Sequence, residues 1–193
     1  MLDIKKLYKE QVVPKAIAEF QLRNRHAAPD LKKIVVSVNV GRYVESLKLD
    51  ANVSDTVVST LETITGQKPK LIKAKVAVSN FKVRDGATTA YMVTLRNDRM
   101  WNFLQRLVHL AIPRIKDFRG LKNKSCDRNG SYSMGVTEQA IWPEINMARV
   151  NFTHGMNFNF IFDNSSPEKS ECVLRELGFP LIKPEEKEGR AVG

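Results

Sequence analysis

Two stretches of the chain alternate with a period of two. In LKKIVVSVNVG (residues 31–41), Ile34, Val36, Val38 and Val40 fall on one side and Lys33, Val35, Ser37 and Asn39 on the other. In MNFNFIF (residues 156–162), Met156, Phe158, Phe160 and Phe162 oppose Asn157, Asn159 and Ile161. Successive side chains of a strand point to opposite faces, so each stretch is a strand with one dry face and one largely polar face. A sheet built from such strands must cover its dry face while the other can meet water or a partner, and this excludes an all-helical chain.

The covering layer is legible between the strands. Residues 2–23 read as a helix interrupted near Pro14, with Ile4, Leu7 and Tyr8 on one face before the proline and Ile17 and Phe20 after it. Val53, Val57, Leu61 and Ile64 make a helical stripe, with Asp50 as cap and Gly66 as stop. Met100, Leu104, Leu107 and Ala111 make another, with Asp98 as cap and Pro113 as terminator. A last helix starts at Ser166-Pro167 and carries Val173, Leu174 and Leu177 up to Gly178. Residues 67–96 contain two extended runs, and Asp85-Gly86 between them reads as a turn. The expected fold is α+β: one antiparallel or mixed sheet, helices on one face, the other face and its loops free to bind. Residues 1–182 are expected to form a single domain, and 183–193 (KPEEKEGRAVG) a polar tail unable to bury enough surface to order itself.

The charge says what the free face meets. Net charge is +10, and it is spread: +4, +4 and +4 over successive fifty-residue segments, then −2 over 151–193. A folded chain with so broad a basic excess points to an acidic partner. Cys126 and Cys172 form no metal-type or disulfide pattern, which fits a reducing compartment. MLDIKKLYKEQ has no apolar signal core, and no window approaches the roughly 18 apolar residues of a membrane span, so a cytoplasmic protein is expected. Membrane-surface binding would gather cations on one amphipathic helix, whereas here they lie mostly in extended and loop segments.

Catalytic signatures are lacking: there is no Gly-x-Gly-x-x-Gly, Walker loop, His-Glu-x-x-His or Gly-x-Ser-x-Gly, and His26, His109 and His154 stand far apart. His109 reads as a partly buried side chain on a packed helix. Neither an enzyme nor a cofactor, metal or small-molecule substrate is indicated.

The densest functional signal is ITGQKPKLIKAKVAVSNFKVRDG (residues 64–86). It carries Lys68, Lys70, Lys73, Lys75, Lys82 and Arg84, and no acid before Asp85. Lysines alone could merely solvate a surface strand or guard a sheet edge. Gln67, Ser79, Asn80 and Phe81 add hydrogen-bonding groups and a ring, a mixture suited to phosphate, ribose and base together. Phe81 reads equally as a stacking ring or as an anchor folding the loop onto the sheet. If the first strand and the run ending in VTLR are neighbours, Lys33, Ser37 and Asn39 join Thr94 and Arg96 in a donor-rich platform. A second basic loop, residues 113–133, holds Arg114, Lys116, Arg119, Lys122, Lys124 and Arg128 against two acids. NFNFIF lacks the Lys/Arg-Gly-Phe start of an RNA-recognition motif, and its phenylalanines read as core.

ITGQKPKLIKAKVAVSNFKVRDG, VTLRNDRMWNFLQRLVHLAIPRIKDFRGL, NGSYSMGVTEQAIWPEI and RELGFP, in that order, closely resemble the bacterial form of large-subunit ribosomal protein five, the 5S rRNA-binding family, over roughly residues 2–181. The resemblance implies a non-enzymatic structural protein of the ribosome's central protuberance, touching 5S rRNA, large-subunit rRNA and other proteins there. It further implies a loop toward peptidyl-site tRNA and a contact with small-subunit protein thirteen in the small-subunit head. On this chain it implies 5S rRNA contacts at Asn39, Gln67, Phe81, Thr94 and Arg96, joined by Lys33, Ser37, Lys68 and Lys70 on the same segments. The tRNA-facing loop becomes residues 73–84, with Lys73, Lys75, Ser79, Asn80, Lys82 and Arg84, and the intersubunit side Arg114, Lys116 and Arg119. The chain departs from the family pattern at Asn80, where glycine commonly precedes the phenylalanine, and along INMARVNFTHGMNF. A free-standing RNA chaperone and a hydrolase are the alternatives from other classes. Competition between 5S rRNA and bulk tRNA separates the first, and metal analysis the second.

Overall fold

A computed structural model describes residues 4–45, 48–81, 83–116, 118–122, 125–150 and 152–182; the side chain of Phe81, all of Lys82 and the tail 183–193 lie outside the described residues. Strands β1 (Asp30–Asn39), β4 (Lys70–Lys73), β5 (Thr88–Leu95), β6 (Tyr132–Val136) and β7 (Met156–Asp163) form one antiparallel sheet in the order β4-β5-β1-β7-β6. A two-stranded ribbon, β2 (Val44–Glu45) with β3 (Lys48–Leu49), stands apart from it. The α+β expectation holds.

The alternation in the sequence is realised residue by residue. Ile34, Val36, Val38, Val93, Leu95, Phe158 and Phe160 are buried to within 1% of full burial, whereas Val35, Ser37, Thr94 and Asn159 are half-buried and Asn39 and Asn157 exposed. Helices pack on the first set. Helix α3 (Ala51–Thr65) lies along β5 and sends Val57, Leu61 and Ile64 inward; Asp50 Oδ1 caps it by accepting from Asn52 N, and Gly66 ends it at φ 64°. Helix α4 (Asn97–Arg106) crosses β1 and buries Met100, Phe103 and Leu104. Phe103 meets Trp142 at 5.3 Å and Phe158 at 5.8 Å between centroids, so helix, loop and sheet share one aromatic centre, each ring contributing about 2–3 kcal/mol by burial. Helix α5 (Pro167–Glu176) is capped by Ser166, whose Oγ accepts from Lys169 N, and buries Val173 and Leu174.

Several local expectations are corrected. Pro14 does not interrupt the first helix: α1 (Ile4–Leu7) runs through a π-helical turn at Tyr8–Val12 into α2 (Val13–Glu19). The wide turn, with Val13 N donating to Tyr8 O, accommodates a proline that offers no N–H and needs room at the preceding turn. Asp98 does not cap α4; Arg96 is extended in that position (φ −140°), so Asp98 falls in the first turn, where it takes a 2.5 Å ion pair from Lys5 that holds its carboxyl below the usual range. Past α4 the chain stays helical through a π-helical stretch at Leu107–Ala111 and a 3-10 turn at Ile112–Arg114 that absorbs Pro113. Consequently His109 points to solvent and is not partly buried. The turn expected at Asp85-Gly86 is present, on the return limb of the excursion between β4 and β5, with Ala87 N donating to Arg84 O and Gly86 at φ 76°.

Candidate nucleic-acid interface

The register assembles the face away from the helices. One row crosses all five strands: Lys70 opposite Met92, Met92 opposite Ser37, Ser37 opposite Asn157 and Asn157 opposite Gly135. The next holds Thr94, Val35, Asn159 and Ser133, and another Ile72, Ala90 and Asn39. The neighbour relation on which the platform depends therefore exists, because Val35 faces Thr94 across β1 and β5. The face reads as amides, hydroxyls and apolar side chains (Val35, Ile72 and Met92 among them), with lysine at its β4 edge. Asn157, Asn159 and Ser133 belong to it, although sequence reasoning does not single them out as site residues. A signal for them exists, since the alternation that buries the phenylalanines of β7 must turn its asparagines outward.

Lys33 and Arg96 stand at the end of the sheet where β1 begins and β5 stops. Asn39 lies at the opposite end; its Oδ1 accepts from Gly41 N at 2.9 Å, which leaves the amide NH2 to donate outward. Gln67 and Lys68 precede β4, Gln67 half-buried in a turn held by Thr65 Oγ1, Lys68 exposed.

From that opposite end a finger projects, residues 74–87. Ala74 N donates to Ala87 O at 2.8 Å, and Gly86 N to Ala74 O at 3.1 Å. Further out, Val78 and Val83 exchange both backbone bonds, and a 3-10 turn at Ser79–Phe81 closes the tip. Lys73, Lys75, Ser79, Asn80 and Arg84 are all exposed, as is Val76 at 70%. The finger is thus a ladder-braced arm whose described side chains point largely into solvent.

Arg114 and Lys116 come to the same end by another route. Helix α4 runs back across the sheet, and its 3-10 extension delivers them to a groove shared with Val136, Thr137 and Glu138 at the end of β6. Four strand spacings separate β4 from β6, about 19 Å, so the two cationic groups flank opposite edges of one end. Arg119 leaves this cluster: it precedes Leu121, which pairs with Leu181 in the C-terminal segment.

Acids are engaged elsewhere. The ion pairs between described residues are Lys5–Asp98, Lys15–Glu176, Lys32–Asp163, Arg106–Glu144 and Arg175–Glu171. Although Glu138 lines the same groove as Arg114 and Lys116, none of Lys33, Lys68, Lys70, Lys73, Lys75, Arg84, Arg96, Arg114, Lys116 or Arg119 forms an ion pair with a carboxylate among the described residues. Nor, among these, do three His, Cys, Asp or Glu side chains converge as metal ligands. A basic rim around an acid-free face of amides, hydroxyls and apolar groups can accept phosphates at its edges and bases or ribose across its middle.

Comparison with known proteins decides the family. Residues 24–84 match the family model for ribosomal protein L5, and residues 88–181 match the model for the C-terminus of the same ribosomal protein family. The chain belongs to the ribosomal protein uL5 family. It is 40% identical to the large ribosomal subunit protein uL5 of Trichodesmium erythraeum over 92% of this chain and 96% of that one. It is 42% identical to uL5 of Acholeplasma laidlawii over 93% and 97%, and 40% identical to uL5c of Tetradesmus obliquus over 92% and 97%. Like other uL5 proteins it is a structural constituent of the large ribosomal subunit, not an enzyme, and no described helix is long and apolar enough to cross a membrane. The two matched regions of the uL5 chain are interleaved in space: β1 and β4 come from the first, and β5, the strand between them, from the second.

Proposed function

We propose that this uL5 protein binds 5S rRNA with the open face of its sheet, using Lys33, Ser37, Asn39, Gln67, Lys68, Lys70, Thr94 and Arg96, and that Phe81, from the tip of the finger, joins this contact. Its finger, residues 73–84, contacts peptidyl-site tRNA, and Arg114, Lys116 and Arg119 serve the contact with small-subunit protein thirteen. Residues 1–182 act as one RNA-binding body within the central protuberance, against large-subunit rRNA and neighbouring proteins. The observation that carries the reading is the five-strand row Lys70, Met92, Ser37, Asn157 and Gly135, which carries no acid, offers a hydroxyl and an amide at its centre and has a cation at its β4 edge. The separation of finger and Arg114 group to opposite edges leaves room for two partners to engage this end side by side.

The test is a binding titration of purified protein against 5S rRNA, with bulk tRNA as competitor, over a range of salt. Each phosphate engaged releases counterions, so about five contacts give a slope near −4 in log affinity against log salt. A flat salt response, or equal competition by bulk tRNA, overturns the 5S rRNA reading. Sedimentation of an extract, with crosslinking to 5S rRNA in the large-subunit fraction, checks it in the assembled particle.

A further inference from the structure

Between the finger and the Arg114 group, the same end of the sheet carries an aromatic pair that the charge argument does not use. Central strand β1 runs out at Asn39 into a 3-10 turn, Gly41–Tyr43, tied back by Tyr43 N donating to Val40 O at 2.9 Å and by Val40 N donating to Thr89 O. The Tyr43 ring packs on Phe152, 5.3 Å between centroids at 58°, and still leaves 41% of the residue in solvent. It is the one aromatic among the exposed large apolar residues described.

What lies behind the pair is rigid. Gln139 is fully buried, and its amide clamps the segment carrying Phe152: Nε2 donates to Phe152 O at 2.8 Å and Oε1 accepts from His154 N at 2.7 Å. Phe152 in turn packs against the His154 ring at 5.6 Å. A buried two-armed amide holding the supporting ring is more than is needed to shield a surface tyrosine. It fixes the height and tilt of an exposed ring in advance, the condition under which a contact costs least conformational entropy.

We infer that Tyr43, seated on Phe152, is a stacking platform for an unpaired base of the RNA bound by this protein. The inference rests on the 5S rRNA reading above and adds a residue that it does not contain. Tyr43 follows Asn39 by four residues at the end of the sheet that also presents the finger and the Arg114 group. A base turned out of the bound RNA beside Asn39 would lie on this ring, within the basic end of the sheet. Single-stranded and looped RNA is recognised by this combination of a flat ring and neighbouring charge. The phenol hydroxyl is not required for stacking, so the contribution belongs to the ring.

The experiment compares wild-type protein with Tyr43→Ala, Tyr43→Leu and Tyr43→Phe for binding 5S rRNA across a salt series, with thermal melts of each variant and mapping of ultraviolet crosslinks. Stacking predicts that Tyr43→Ala and Tyr43→Leu bind about tenfold more weakly or worse, with the salt slope of wild type, because no phosphate contact is lost. Tyr43→Phe keeps its affinity, and the tryptic peptide containing Tyr43 carries a nucleotide crosslink. Leucine retains apolar packing on Phe152, so loss of affinity in a Tyr43→Leu protein that melts like wild type separates stacking from fold support. If Tyr43→Leu binds as wild type, or only melting temperature moves, Tyr43 is a structural residue and the inference is overturned. Failure of wild-type protein itself to bind 5S rRNA overturns the parent reading instead.

Discussion

Val35 and Thr94 face each other across β1 and β5, on the side of the sheet away from the helices. These two residues are 59 positions apart in the chain, and their meeting is what turns separate polar stripes into a surface. Ser37, Asn39, Asn157 and Asn159 then fall into place around them by register alone.

Lys70 sits at the edge of that surface, exposed and without an ion pair among the described residues. Lys70→Ala is expected to weaken binding to 5S rRNA and to make the salt slope shallower by about one, leaving the melting temperature unchanged. Lys15→Ala, which removes the partner of Glu176 between α2 and α5, should leave both affinity and slope as they were. Filter binding over a salt series reads both variants.

Gly130 closes the turn before β6 at φ 77°, and a Cβ placed there would lie 2.7 Å from Ser170 Oγ and 2.9 Å from Ser166 O. Gly130→Ala therefore meets two penalties together, a left-handed backbone and a collision with the N-terminal turn of α5. The expected loss of stability is about 2–3 kcal/mol in urea unfolding. An alanine at the exposed Gly66, whose Cβ would meet nothing within 4 Å, carries only the backbone penalty and should cost less.

His154 is 4% exposed, with Nδ1 against Gly155 O at 3.3 Å and Nε2 without a hydrogen-bond partner among the described residues. Burial holds its pKa below the ordinary value, the bond to Gly155 opposing only in part. The unfolded chain therefore binds a proton before the folded one does. Stability from this residue is fully present above the unfolded pKa of about 6.5 and is lost as pH falls through the lower folded value. Urea midpoints should drop between pH 7 and pH 5, and His154→Leu should flatten that part of the profile.

Cys172 donates to Glu19 Oε2 at 3.0 Å. Burial first, and then this bond, push its thiol up to about 12. At pH 8 almost no thiolate is present, so alkylation by iodoacetamide should be slow relative to a free cysteine peptide. Glu19→Gln removes the carboxylate and should accelerate it, as mass spectrometry of the labelled peptide would record.

Much of the fold is written locally. The faces of β1 and β7, the Asp50 cap and Gly66 stop of α3, and the Ser166-Pro167 start of α5 all appear where alternation and capping chemistry put them. Misreadings cluster where a local signal has two structural answers. Pro14 could break a helix or sit after a π-turn, and Asp98 could cap a helix or enter its first turn.

By itself the sequence settled which side chains share a face and which segments carry unbalanced positive charge, because a period of two, a capping residue and a charge count are properties of adjacent residues. Tertiary structure alone decided that β1 lies between β5 and β7, that the finger and Arg114 flank opposite edges of one end, and that Tyr43 rests on Phe152. Any strand with a dry face can pair with any other, and choosing among partners dozens of residues apart is left to the burial of the whole core, a sum to which no short window has access.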